Sequence, residues 1–405
     1  MGCCCCCCFF WLLWSAPTGE RIKPHMEFTA SYSMEISIPT KDVWNYIPGE
    51  LLIHIFSYVS LEGRHAAFSV CQPWAEAVST PSVWSSTEAS FNTVAACKGD
   101  LLERLFQFLE HIEHLKIVVD QTLYLYRSQV NKILSVLVWK SHNVRALCIV
   151  CRGDNLYFYS CPDILQSFRR FIKFTRKMDL QYIDLQKTSF NLEDHVILWI
   201  AYRNPNLHTL LINNQRSDLT ILSPNTILWV LRCCPKLSTL GIHLASFSED
   251  VFHVLLNPSR GPLKFLGIFC AGKVSPIPEE VWSALTERHP KLRVGLEFGP
   301  LVHTVIISRF LKPNIPVSAL RFNGCICMVN HIRYITDTYF RTLEKLVFYT
   351  SASENLNQAL IELALGSENL KEIYCSCPVS PAVINAFLAH CPRLIRCTLK
   401  KNPLY

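Results

Sequence analysis

The chain has 405 residues, 50% apolar and 18% charged, a composition that fills one large or two modest packed domains and excludes a disordered chain. Its 39 basic and 32 acidic residues leave a net charge of +7 with no run of four Lys/Arg, so the electrostatic footprint of a nucleic-acid binder is missing. Six of the twenty cysteines are consecutive, Cys3 to Cys8, and the others are scattered through a chain far too long for a disulfide-stapled module, which points to a reducing, intracellular setting, cytoplasmic or nuclear.

The first segment, 1–43, is expected to be a disordered extension. Cys3 to Trp14 is uninterruptedly apolar, but it is shorter than the roughly 20 residues of a spanning helix and lacks the preceding positive charge of a secretory signal. S-palmitoylation at Cys3 and Cys4 is the one membrane attachment left, and a single signal anchors only marginally. The favoured reading is therefore that the cysteine run is a translated repeat or a misplaced start, with Met26 or Met34 as the beginning and no membrane role. Pro17, Gly19, Pro24 and Pro39 break up the polar remainder of the segment.

From Trp44 to Trp84 the pattern becomes helical. Pro48 suits a first helical turn, where its missing N–H would be unpaired anyway, and Glu50 suits the positive end of the helix dipole. Leu51, Leu52, Ile55, Phe56 and Val59 then recur at three-and-four spacing as one apolar stripe. A second helix is expected from about Glu62 with Ala66, Ala67 and Val70 inward, and a third carrying Trp74 and Val78. So small a unit buries too little apolar surface alone and needs a neighbour.

Residue for residue, Ile47-Pro48-x-Glu50-Leu51-Leu52-x-x-Ile55-Phe56-x-Tyr58-Val59, Arg64-x-x-Ala67-x-x-Val70-Cys71-x-x-Trp74 and Val83-Trp84 resemble the F-box. Two places depart from it: Gly63 stands where an acidic residue is common, and Gln72-Pro73 replaces the usual basic residue before the Trp. Both bear on where the second and third helices start.

Beyond residue 90 the chain repeats itself. The unit apolar-x-x-apolar-x-apolar recurs from Ile112-Leu115-Ile117 through Val144, Leu180, Leu207, Leu237, Leu263, Val317, Leu343 and Leu370 to Leu394-Cys397-Leu399, with a looser copy at Leu292-x-Val294-x-Leu296. First positions lie about 24 to 36 residues apart, mostly near 27, within or near the range of leucine-rich repeats. Amphipathic stretches precede many units: 191–202, with Asn191 as the expected N-cap, and 223–231, with Ser223 capping and Pro224 following. Asn204-Pro205, Cys234-Pro235, His289-Pro290 and Cys391-Pro392 end such helices two residues before the next unit. One helix-plus-strand unit cannot bury its apolar face, so successive units stack. A doubly wound fold also alternates helix and strand, but it uses longer units and a Gly-rich phosphate turn, which is absent.

The fold class is thus α/β: a three-helix F-box at 44–90, a leucine-rich-repeat horseshoe at 91–400 with a parallel sheet on its concave side, and a tail at 401–405. This arrangement resembles the F-box and leucine-rich-repeat proteins. The resemblance implies a substrate receptor of a ubiquitin ligase, in which the F-box docks on a Skp-type adaptor, the adaptor binds a cullin, and the repeats hold an unknown target protein. Pro48, Glu50, Leu51, Leu52, Ile55, Phe56, Val70 and Trp74 are the adaptor-binding residues that it implies.

No motif of nucleophilic, phosphate-binding or zinc-protease chemistry appears. Cys148-x-x-Cys151 with Cys161 lacks the pair that would complete a zinc site, and His111 and His114 lack a third ligand, so neither a metal nor another cofactor is expected. Cys325-x-Cys327 and Cys375-x-Cys377 read as strand residues with both thiols on one buried face. Glu193 and Asp194 are expected to stabilise a helix start. The protein would supply proximity and no catalysis. The competing reading is a repeat scaffold or receptor without a ligase, its F-box helices only capping the solenoid. Strand alternation predicts Thr209 and Leu211, Thr239 and Gly241, Phe265 and Gly267, Ala319 and Arg321, Lys345 and Val347, and Glu372 and Tyr374 on the concave face, with Phe265 and Tyr374 as the aromatic anchors.

Overall fold

The computed structural model describes residues 47–97, 99–140, 142–153, 161–176, 178–214, 222–271, 275–325 and 328–401. The extension 1–43 with Cys3 and Cys4, the Cys325 and Cys327 thiols and the tail beyond Lys401 lie outside what the structure describes.

Helix α1 (Gly49–Tyr58) begins one residue later than the Pro48 rule suggests, because Pro48 occupies the cap: its carbonyl accepts from the N–H groups of Leu51 and Leu52 at 3.0 and 3.2 Å. Helix α2 (Leu61–Ala67) starts at Ser60, whose hydroxyl accepts from the Gly63 N–H. A Cβ on Gly63 would lie 2.3 Å from Val59 Cγ1, so a side chain there would have to displace Val59 at the entry into α2. In α3 (Gln72–Val78) Pro73 sits in the first turn, where no backbone donor is needed, and the short α4 (Pro81–Trp84) opens on a second proline.

One residue after α4 the sheet begins with β1 (Ser86–Phe91). The chain then alternates through α5 (Gly99–Gln107), β2 (His114–Asp120), α6 (Tyr124–Trp139), β3 (Ala146–Arg152), α7 (Pro162–Phe174), β4 (Tyr182–Asp184), α8 (Asp194–Arg203), β5 (Thr209–Leu211), α9 (Pro224–Cys233) and β6 (Thr239–His243). It continues through α10 (Glu249–Leu256), β7 (Phe265–Cys270), α11 (Glu279–Arg288), β8 (Arg293–Phe298), α12 (Thr304–Phe310), β9 (Val317–Cys325), α13 (Val329–Tyr339), β10 (Lys345–Tyr349), α14 (Glu354–Gly366), β11 (Glu372–Val379), α15 (Pro381–His390) and β12 (Arg396–Lys401).

All twelve strands form one parallel sheet in strict sequence order. A doubly wound sheet reverses its order at a switch point, and this one never does, so the stacked-repeat reading stands. The central residues of the repeats form an in-register ladder, Leu115, Leu147, Ile183, Leu210, Leu240 and Leu266, each at most 1% exposed. The loosely spaced unit at Leu292 lies where the pairing of β8 with β9 slips by a residue after Val294. The repeat pattern picks out β2 to β12; β1 carries no such unit and is the strand the pattern does not reveal.

The residue before each punctuating proline does more than end a helix. Asn204 donates to Ile200 O at 2.8 Å and accepts from the Leu180 N–H at 2.7 Å. His289 bonds Leu255 O through Nε2 at 3.0 Å and accepts from the Leu263 N–H at Nδ1. The Cys234 and Cys391 thiols reach Ala201 O and Ala364 O, each on the preceding helix. A buried polar group at this place ties each repeat to the one before it and satisfies backbone that the turn leaves open. Helix α8 departs from expectation: Asn191 is not its cap, since Asn214 takes Phe190 O and Leu192 is buried, and the helix starts at Asp194. Glu193 pairs with Arg169, and Asp194 accepts from the Ser223 N–H of the next repeat rather than serving only the dipole.

Candidate functional site

Two surfaces stand out, one on the N-terminal helices and one inside the horseshoe. On α1 the apolar residues divide into two stripes. Leu52 and Phe56, one turn apart, are each 1% exposed, and the Phe56 ring meets Trp74 edge to face at 5.3 Å. Leu51 and Ile55, also one turn apart but rotated by one residue, point away: Leu51 is 54% exposed and Ile55 half-buried. Pro48 and Glu50 are exposed beside them, and Val70, expected inward, is 41% exposed. The eight residues implied as adaptor-binding therefore separate into five that reach solvent, Pro48, Glu50, Leu51, Ile55 and Val70, and three that do not. Leu52, Phe56 and Trp74 form the core beneath, where Phe56 of α1 meets Trp74 of α3.

Arg64 fastens this module to the sheet. Its guanidinium is 3% exposed and donates to Phe56 O, Ser57 O, Ser86 O and Thr87 Oγ1 at 2.9 to 3.1 Å, joining the end of α1 to the start of β1. Burial without a carboxylate partner pulls its pKa down to about 10. Trp84, fully buried, stacks on Phe108 at 4.3 Å and donates to Val78 O. The division expected at residue 90 consequently falls inside β1, with no linker between helices and solenoid.

On the concave side a groove of 580 Å³ spans the sheet from β3 to β10. Phe265, Gly267, Ala319, Arg321 and Lys345 line it as alternation requires, whereas Leu211 and Val347 are nearly closed off. Tyr374 lies toward the other end, 5.5 Å from the Tyr349 ring. The sequence reading did not single out Gly295, although it continues a row across neighbouring strands: Gly241, Gly267, Gly295 and Ala319 stand in register. Aligning the repeats on their central apolar residue would have revealed it.

The cysteine and histidine readings resolve by strand geometry. Cys148 and Cys151 are three apart on β3, so alternation sends them to opposite faces. Cys148 meets Asp184 on the concave side, where burial and that carboxylate push its thiol up to about 12, and Cys151 lies inside against Cys161. Cys375 and Cys377 share one buried face, their sulfurs 3.3 Å apart. His111 closes a short 3₁₀ turn and His114 opens β2. Among the described residues no helix is long and apolar enough to cross a membrane.

Comparison with known proteins agrees with this geometry. The F-box-like family model matches residues 44–87, the α1 to α4 module and the start of β1. Human F-box/LRR-repeat protein 8 is 36% identical over 358 residues, covering 87% of this chain and 94% of its own, and the bovine protein of that name is 34% identical with the same coverage. A chain in the crystal structure of the yeast Rad7 and Elc1 complex overlays with a TM-score of 0.35 at 14% identity, over 87% of this chain and 88% of that one. Identity of a third, sustained through both the helical module and the repeats, is too much for two folds that merely look alike: the chain belongs to the F-box/leucine-rich-repeat proteins.

Proposed function

We propose that this protein is the substrate-recognition subunit of a Skp–cullin–F-box ubiquitin ligase. Residues 44–90 engage the Skp-type adaptor, the adaptor brings the cullin, and the concave face of 91–400 presents a target protein for ubiquitination and proteasomal degradation. The observation that carries this reading is the second stripe of α1. An exposed Leu51 beside Pro48 and Ile55 on α1, with Val70 also exposed after α2, makes apolar surface that the described residues leave uncovered, and such surface marks protein contacts. The protein contributes positioning and no bond chemistry.

Leu51→Glu in the full-length chain, co-expressed with the adaptor, tests this. Because Leu51 is outside the core, the melting temperature should stay near that of the wild type, while adaptor affinity falls at least about thirtyfold, as for an interface hot spot. Adaptor binding at wild-type strength would reject the ligase reading. The Arg64 clamp and the Trp84 stack favour the second reading, in which the helices serve to close the first repeat, and that outcome would leave capping as their role.

A further inference from the structure

The concave groove has a floor and a charge that together describe an occupant. Gly241, Gly267 and Gly295 remove three successive side chains from the face of β6, β7 and β8. The Phe265 ring lies in the trough so formed: a Cβ on Gly295 would come within 2.8 Å of its Cζ, and one on Gly267 within 3.2 Å of Cε1. Side chains at Gly267 and Gly295 would crowd the ring, so the two glycines leave it room over the neighbouring strands, where Phe265 lines the groove and stays partly exposed.

Around this apolar floor the groove is lined by Arg152, Lys187, Arg321 and Lys345 against one carboxylate, Glu297. Arg321 lies 3.7 Å from Glu297, and Lys345 is bonded to Glu372 just outside the groove. Lys187 and Arg152 have no carboxylate at ion-pair distance among the described residues. Partial desolvation, then Arg321 and Lys345, lower the pKa of the exposed Lys187, as expected of a cation facing like charges, with Asp184 opposing them. An anion entering here would relieve that repulsion.

We propose that this groove binds an extended acidic segment of the target protein, one aromatic or aliphatic side chain resting on Phe265 and carboxylates meeting Lys187 and Arg152. This rests on the reading of the chain as a target receptor and names the chemistry of what it receives. An apolar anchor in a pocket supplies affinity, and the surrounding cations select against neutral and basic segments.

The test uses the full-length chain bound to the adaptor and a fluorescein-labelled Glu-Glu-Phe-Glu-Glu-Phe-Glu-Glu peptide, followed by fluorescence anisotropy. Binding should weaken about tenfold with Lys187→Glu and by a similar factor with Phe265→Ala, and should fall with added salt. Peptides with Gln for Glu, with Lys for Glu, and with Gly for Phe should each bind worse than the parent. Equal binding of the Gln or Lys peptide, or an unchanged affinity in the folded Lys187→Glu protein, overturns the assignment. So does a peptide with phosphoserine for Glu that binds where the carboxylate peptide does not. Lack of peptide binding by a protein that still holds its adaptor sinks the groove alone, whereas loss of the adaptor sinks the receptor reading itself.

Discussion

The N-terminal helices and the repeats both carry apolar stripes, yet they dispose of them differently. In the solenoid every ladder residue from Leu115 to Leu266 is closed off by the next repeat, whereas α1 buries Leu52 and Phe56 and leaves Leu51 open one residue away. Stacking gives each repeat a neighbour on both sides. Among the described residues the helical module has one, β1 and the elements behind it, and so covers only part of an apolar arc wider than a single face. What remains uncovered is the part available to another protein.

The sharpest way to break this contrast is to exchange the stripes. Phe56→Ala should cost about 3–5 kcal/mol by emptying the space against Trp74, seen as a large fall in the melting temperature, while the neighbouring outward stripe tolerates truncation within about 0.5 kcal/mol. Equal effects at Leu51 and Phe56 would mean that the two stripes are not distinct. Next in size is the joint. Arg64→Ala strands four acceptors beneath Trp84 and should cost about 3 kcal/mol, and Arg64→Lys, which cannot reach both Phe56 O and Thr87 Oγ1 with a planar fork, should recover less than half. Were the helices an independent module on a flexible connection, Arg64→Ala would leave the melting of the repeats untouched.

Reading the chain without coordinates goes far in the repeats and less far in the helices, for one reason. A period near 27 that recurs many times averages out local noise, so eleven of the twelve strands carry a signal in their own residues. The missing one, β1, presents Ala89 and Phe91 inward with no leucine at the diagnostic place, because its outer side is covered by α2 and Arg64 rather than by another repeat. Within α1 the spacing rule finds apolar residues but cannot say which of two adjacent stripes is covered, since Leu51/Ile55 and Leu52/Phe56 satisfy it equally. Trp74 looked as suitable for a contact as Val70 and proves to be core. The concave face was legible by alternation, but the glycine trough is a property of three strands in register and is invisible one repeat at a time. The start of α8 was misplaced because Asn191 has the chemistry of a cap while the backbone before it is already engaged by Asn214.

The smallest expected effect separates the repeats from one another. Asn204 and His289 occupy the same place before a proline and accept from equivalent N–H groups, Leu180 and Leu263, of the preceding repeat, although the second bond goes to Ile200 O on its own helix for Asn204 and to Leu255 O on the preceding helix for His289. Asparagine does this at any pH, but histidine only while Nδ1 is unprotonated. Burial lowers the His289 pKa in the folded protein, as it does for His142 and His243, while the unfolded chain titrates near the ordinary value of about 6.5. The folded state therefore binds fewer protons than the unfolded one, so the contribution of these groups is complete above about pH 6.5 and is lost as pH falls through that value toward the folded pKa. His289→Asn should keep the repeat linkage and reduce the fall in melting temperature between about pH 7 and pH 5 relative to the wild type, with His142 and His243 supplying the remainder. A variant whose pH dependence matches that of the wild type would show that the ring accepts a proton without giving up the Leu263 N–H, and that the two prolines are preceded by equivalent joints after all.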